Sequence, residues 1–195
     1  MAILWSSASN DDAPRLQGKL VYLRAPQIGD YTAWAELREG SRDFLTPWEP
    51  VWPADDLTRP AFRARLKRYA RDRYEAHAHP FFLFDRKNDA LVGGCTLSGI
   101  RHSVIQSGVL GYWIGAAHAR KGFMTDALRA LVPFAFDVLG LHRLEAACLP
   151  SNEASQRLLV KAGFSREGLA RQYLMINGVW HDHVLFAMLS TDLRP

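Results

Sequence analysis

The stretch VLGYWIGAAHARKGFMT has residue types that could grip an anion. An apolar strand (Val109–Gly115) runs into a short loop (Ala116–Lys121), then Gly122 and a helix. The first N–H groups of a helix have no internal partner, point outward, and sit where the helix dipole favours negative charge. Arg120 and Lys121 add to that field, and Gly122 lets backbone come close to a phosphate. A single glycine satisfies neither the dinucleotide fingerprint nor the P-loop, and a simple turn accounts for it as well. Three side chains could carry a proton: Glu49 in TPWEPVWP, Glu145 on a strand, and His183 near the C-terminus. Each has a plain alternative: a solvated loop acid, a paired strand acid, a core histidine bonded to backbone. His181 and His183 share one face of a strand, but two histidines without a third ligand make no metal site. Cys95 and Cys148 read as small buried strand residues, with no histidine at a spacing that suggests covalent catalysis.

The elements that would position these groups can be read from periodicity. Residues 1–15 read as a loose leader, and 16–195 as one domain. Lys19–Arg24 alternates as a strand. Asp30 is placed to cap a helix whose apolar side is Tyr31, Trp34 and Leu37, closed by Gly40. Thr46–Pro53 has three prolines in eight residues, which forbids a regular helix or central strand. That loop holds Trp48, Glu49 and Trp52 and reads either as a stiff connector or as one wall of a cleft. A helix over Arg59–Arg73 should end before Pro80. Phe81–Asp85 and Leu91–Leu97 form a hairpin across Arg86–Asp89. Met124–Leu139 has the apolar spacing of a long buried helix, which Pro133 should kink near Arg129. Leu144–Leu149 is a strand and Asn152–Ala162 a helix. Arg171–Ile176 and Val179–Met188 pair across Asn177-Gly178. This order predicts an α/β (α+β) domain with a mixed, partly antiparallel sheet.

Composition excludes several classes. The chain has 195 residues, 48% hydrophobic and 23% charged, which is ordinary for a folded domain. The longest stretch without Lys, Arg, Asp or Glu, His102–Ala119, is too polar to span a membrane, and no secretion signal is evident. Two cysteines support neither a disulfide framework nor a thiolate cluster; a cytoplasmic location is the default expectation. Net charge is +4. Arg59–Arg73 holds seven basic residues against Asp72, leaving 17 basic and 19 acidic residues elsewhere. That helix is either a solvated face or a contact for an acidic partner, and no nucleic-acid motif surrounds it.

Four segments carry a resemblance. LGYWIGAAHARKGFMTDALRALVPFAF resembles the acetyl-CoA loop and helix of the GNAT acetyltransferase superfamily. LHRLEAACLPSNEASQRLLVKAGFSREG is similar to its next strand and helix. RDFLTPWEPVWP and INGVWHDHVLFA are similar to the RimJ/RimL group, which acetylates the N-terminal residue, alanine for RimJ, of ribosomal proteins. The resemblance implies a sheet whose fourth and fifth strands, here Val109–Gly115 and Leu144–Leu149, splay to admit pantetheine. It implies that backbone of Trp113, Ile114 and Gly115 bonds the pantetheine and the thioester. Amides of Arg120, Lys121, Gly122, Phe123, Met124 and Thr125 would hold the pyrophosphate, and Asn152 the cofactor arm. Ser155 would protonate the leaving thiolate, Leu159 standing where many relatives have a tyrosine. Leu174 stands where some RimL-type relatives have a glutamate. The loop departs from the superfamily at Ala119 and Met124. Trp48, Glu49, Trp52 and His183 would line the acceptor side. No metal is implied.

The missing base bears on the acceptor. An α-amine with pKa of about 7.7–8 is neutral for about a tenth or more at pH 7, a lysine near 10.4 for only about 0.04%. The difference is about 3.5 kcal/mol. Direct attack by a protein N-terminal α-amine is therefore the expected reaction. The alternatives are a small amine, such as an antibiotic or aminoacyl nucleotide, stacked on the aromatic loop, and a non-catalytic acyl-CoA-binding ribosome adaptor.

Overall fold

A computed structural model describes residues 13–193; of the leader expected over 1–15, residues 1–12 lie outside the described residues. The elements are β1 (Leu16–Gln17), β2 (Val21–Arg24), α1 (Tyr31–Glu39), α2 (Arg42–Leu45), α3 (Arg59–Tyr74), β3 (His79–Asp85), β4 (Leu91–Arg101), β5 (Ser107–Ile114), α4 (Phe123–Pro133), β6 (Arg143–Cys148), α5 (Glu153–Lys161), β7 (Ser165–Ile176) and β8 (Val179–Leu189). They build one eight-stranded sheet in the order β1-β2-β3-β4-β5-β6-β8-β7. Its described neighbours are antiparallel except β5 and β6, which the α4 crossover makes parallel. This is the mixed α/β domain that the element order predicts.

Alternation assigns each strand residue to a face. Leu110, Leu144, Ala146, Phe186 and Met188 join Leu128 and Leu131 of α4 and Leu159 of α5 in one core. On the other face, Trp34 of α1, Phe62 of α3 and Phe82 of β3 form an aromatic core, with Trp113 against it. Trp34 and Phe62 rings lie 4.8 Å apart.

Several boundaries differ from the sequence reading, each for a local reason. The strand expected from Lys19 starts at Val21, because N–H groups of Lys19, Leu20 and Val21 all donate to the Asp126 carboxylate, at 3.0, 2.7 and 3.0 Å. Asp30 does not cap α1 with its side chain. Arg24 takes its two oxygens at 2.6 and 2.8 Å, and one also accepts the Gln27 N–H, closing a 3-10 turn before the helix. Pro47 stands at the start of a 3-10 turn (Thr46–Trp48), where its missing N–H costs nothing. α3 stops at Tyr74, followed by Ala76 in the left-handed region at φ 54°. α4 ends at Pro133 and continues as a π turn, Phe134–Val138, closed by Leu139 N–H to the Phe134 carbonyl at 3.0 Å. Pro133 cannot donate to the Arg129 carbonyl, and the ladder resumes beyond it with a wider turn.

The last hairpin turns on Asn177 and Gly178, φ 46° and 80°, the geometry of a type I′ turn. β7 is longer than expected and its register slips between Ala170 and Leu174. Gln172, at φ 45°, sits in this bulge, and its N–H is taken by the Asp182 carboxylate at 2.9 Å. Such a bulge re-aims neighbouring side chains, and here the Tyr173 ring stands edge-on to His183, 6.0 Å between centroids.

Candidate active site

The site begins where β5 and β6 part. They pair only from Ser107 to Val109, against Arg143 to Glu145. Beyond this, β5 stays on β4 and β6 stays on β8, leaving a wedge between them. Gly115 N–H donates to the Val92 carbonyl at 2.9 Å, and Trp113 is registered opposite Gly94. Because an antiparallel strand turns alternate residues to alternate neighbours, Tyr112 and Ile114 aim their backbone groups into the wedge. Of the backbone expected at Trp113–Gly115, then, Ile114 faces the opening, while Trp113 and Gly115 are committed to β4.

The start of α4 closes one end of the wedge. Gly122 caps it in the left-handed conformation at φ 87°, and Arg120 is also left-handed at φ 62°. Lys121 between them has negative φ, so handedness alternates and successive N–H groups turn toward one concavity. The first intrahelical donor is Asp126, to the Gly122 carbonyl at 3.0 Å. Amides ahead of it are free for an anion. Met124 folds into the core and is 7% exposed, so its bulk does not cover the amides. Arg120, Gly122, Phe123, Met124 and Thr125 line the cavity, whereas Lys121 projects to solvent.

The cavity, about 660 Å³, runs through the wedge from one face of the sheet to the other. On the α4–α5 side it meets Asn152, Ser155, Cys148 and Tyr112. Asn152 caps α5: its Oδ1 accepts the Ser155 N–H at 3.0 Å, which leaves its Nδ2 as a donor. Ser155 Oγ and the Tyr112 hydroxyl are 2.7 Å apart. Burial pushes the Tyr112 phenol well above its ordinary value, with the Ser155 contact opposing the shift. Burial also raises the Cys148 thiol, beside Ser155, and lifts Cys95 to about 12. Both cysteines are thereby kept as thiols.

On the other side the lining is Phe44, Leu45, Trp48, Glu49, Leu174, Ile176 and His183. Arg38 of α1 organises this wall. It is 7% exposed and grips both Glu49 oxygens, at 2.8 and 2.7 Å. Its guanidinium lies 4.0 Å from the Trp52 ring centre, and Trp52 Nε1–H donates to Glu49 at 2.7 Å. The Glu49 carbonyl accepts the Asn177 N–H at 3.0 Å, tying the loop to the hairpin tip. His183 is 2% exposed. Its Nδ1 is 2.9 Å from the His181 carbonyl, which can only accept, so in the neutral ring Nδ1 carries the proton and Nε2 the lone pair.

Two sequence candidates fall outside this arrangement. Glu145 lies where β5 and β6 are still paired, opposite Val109, and is bound by Arg143 at 2.8 Å. Trp52 does not line the cavity, because its ring is held under Arg38. Glu49 reaches the cavity, with both oxygens held by Arg38. Tyr112 and Arg38 had no signal of their own in the sequence: one is a strand tyrosine, the other a helix arginine. Among the described residues no three His, Cys, Asp or Glu side chains gather as metal ligands, and no helix is long and apolar enough to cross a membrane.

Known proteins share this architecture. Residues 21–165 match the family model described as "Acetyltransferase (GNAT) domain". The chain belongs to the GNAT acetyltransferase family. This GNAT enzyme is 37% identical over 177 residues to the Bacillus subtilis (strain 168) protein named "Probable N-acetyltransferase YjcK", covering 91% of this chain and 98% of that one. It is 34% identical over 170 residues to the [ribosomal protein uS5]-alanine N-acetyltransferase of Escherichia coli (strain K12), covering 86% and 88%. The solved structure of Mycobacterium smegmatis RimJ in complex with CoA-disulfide superposes with a TM-score of 0.84 at 28% identity, covering 91% of this GNAT chain and 86% of RimJ.

Proposed function

We propose that this GNAT acetyltransferase moves an acetyl group from acetyl-CoA to the N-terminal α-amine of a ribosomal protein, with alanine as the acceptor residue. The observation that carries this is the cavity through the parted strands, with anion donors and the Tyr112–Ser155 pair at one face and the Trp48–His183 wall at the other. Acetyl-CoA, when bound, supplies the acetyl group as a thioester. The amides at the start of α4 suit its pyrophosphate, the Asn152 amide its arm, and Ile114 N–H the carbonyl oxygen on which charge develops. The cavity brings the amine to the acetyl carbon from the opposite face. A C–N bond forms as the C–S bond breaks. The amine sheds one proton, for which His183 Nε2 is the available acceptor, and the sulfur gains one from the Tyr112–Ser155 pair.

Tyr112 is the better donor of that pair, since a phenol is a stronger acid than an alcohol, and burial keeps it protonated at working pH. A protein acceptor fits the mouth: Val51, Tyr173, Leu174, Val179 and Trp180 are exposed apolar residues on the two segments joined at Glu49 and Asn177. A flat small amine sandwiched between Trp48 and Trp52 fits less well, because Trp52 is covered by Arg38. The relatives named for ribosomal-protein acetylation support this choice and a cytoplasmic setting.

Intact-mass analysis of ribosomal proteins, with and without the enzyme, tests it. One protein should gain a single acetyl mass at its N-terminal nitrogen. Acetylation of a panel of small amines in preference to an alanine-starting peptide would overturn the acceptor assignment.

A further inference from the structure

Helix α3 carries seven basic residues and one acid, Asp72, while the rest of the chain has 17 basic and 19 acidic residues. The entire positive excess therefore stands on one helix. Its inner side belongs to the fold. Phe62 is fully buried against Trp34 and Phe82, and Arg65 pairs with Asp56 at 2.6 Å and stacks on Trp34. The outer side is different. Arg63, Lys67 and Arg71 recur every four residues and are all exposed. Among the described residues they form no ion pair within 4.0 Å, unlike Arg65.

Folding gains nothing from this stripe. Like charges four apart on a helix each cost a few tenths of a kcal/mol, and among the described residues no acid stands within ion-pair distance of the three. The stripe rises about 6 Å per step, a row of separate cations, and the other exposed residues between its ends are Ala64, Arg68 and Ala70. A folded protein partner would need a desolvated apolar anchor at the centre of its interface, whereas the one exposed large apolar side chain of α3, Tyr74, stands at the end of the row. A phosphodiester backbone needs only spaced cations, and arginine, two of the three here, matches phosphate with a bidentate fork. Tyr74, at the end of the row and 74% exposed, offers a ring for an unpaired base.

We propose that the outer face of α3 binds the phosphate backbone of structured RNA without reading its sequence. The cationic surface is independent of the acetyl-transfer reading; the choice of RNA as the polyanion rests on the ribosomal acceptor proposed above. α3 packs on the sheet face where the acceptor mouth opens, so RNA held there stands on the acceptor side of the molecule.

The test is fluorescence anisotropy of a labelled 20-base-pair RNA duplex (about the length a double-stranded-RNA module spans) over a series of KCl concentrations. Wild type should bind with a log–log salt slope of about −3 or steeper, as three or more phosphate contacts require. The variant Arg63→Ala/Lys67→Ala/Arg71→Ala should bind at least about tenfold more weakly, with a slope shallower by about three. Its melting temperature and its turnover of a short alanine-starting peptide should match wild type, since these residues lie outside the cavity. Unchanged RNA binding in the variant overturns the proposal. So does tighter binding of a DNA duplex of equal length, or competition by poly-glutamate as effective as by RNA, which would point to an acidic protein. A wild type that binds RNA as described yet acetylates no ribosomal protein supports this surface and strikes the acceptor assignment alone.

Discussion

The two ends of the cavity are built by different means. At the donor end the key groups are backbone: amides ahead of Asp126, the Ile114 N–H and a left-handed Gly122. Their direction is set by strand alternation and helix capping, so side chains contribute little to the anion grip there, while the Tyr112–Ser155 pair stands beside it for proton transfer. At the acceptor end a side-chain hub does the organising. Arg38 holds both Glu49 and Trp52, and Glu49 in turn holds the hairpin tip. A backbone site tolerates sequence drift; a hub fails when one residue changes. Within one fold, then, the anion grip is robust and the acceptor end is adjustable.

That contrast can be broken or sharpened by experiment. The largest effect should come from Tyr112→Phe, which removes the proton donor while keeping the ring. We expect kcat to fall about 10²–10⁴-fold with the KM for acetyl-CoA within twofold. Retention of more than half the turnover would move the proton source elsewhere. Arg38→Ala should come next. It leaves the partly buried Glu49 carboxylate with only the Trp52 N–H as its side-chain donor, and steady-state kinetics should show at least a tenfold rise in acceptor KM with acetyl-CoA KM little altered. An equal rise in both would mean the two ends are not separate.

The pH profile tests the same division. kcat/KM for a peptide acceptor should climb about tenfold per pH unit below the α-amine pKa of about 7.7–8 and then level off. Because burial raises the Tyr112 pKa, its acid form persists as pH increases, so no alkaline fall should occur up to about pH 10, the unperturbed phenol value. A fall at about pH 10 or below that vanishes in Tyr112→Phe would show that the phenol is not raised. The smallest effect is expected for Asp126→Asn. Three N–H groups of the β1–β2 turn lose a charged acceptor, and chemical denaturation should register a loss of about 1.5–3 kcal/mol. Acetyl-CoA KM should shift more than acceptor KM, as this turn brings Leu20 beside Gly122.

The same contrast explains what the sequence discloses. The α4 start, the Asn152 cap and the Asn177-Gly178 turn are local: each needs only a few adjacent residues of the right type, and each is found where the spacing puts it. The Tyr112–Ser155 contact spans 43 positions and Arg38–Glu49 bridges a helix to a proline-rich loop. Nothing in either partner's neighbourhood signals the other. Glu145 and Trp52 illustrate the converse. Their residue types suit chemistry, yet the register of β6 and the stack on Arg38 take them away from the cavity. The bulge at Gln172 is likewise hidden, because it depends on the Asp182 carboxylate across the hairpin.

The parted strands have a kinetic consequence. A passage lined by residues from both faces of a sheet gives the two reactants separate stretches of wall, so neither has to leave before the other arrives. Cys148, the one thiol in the passage among the described residues, is held in its unreactive form. Turnover should thus pass through a ternary complex, and double-reciprocal plots at varied partner concentration should intersect rather than run parallel.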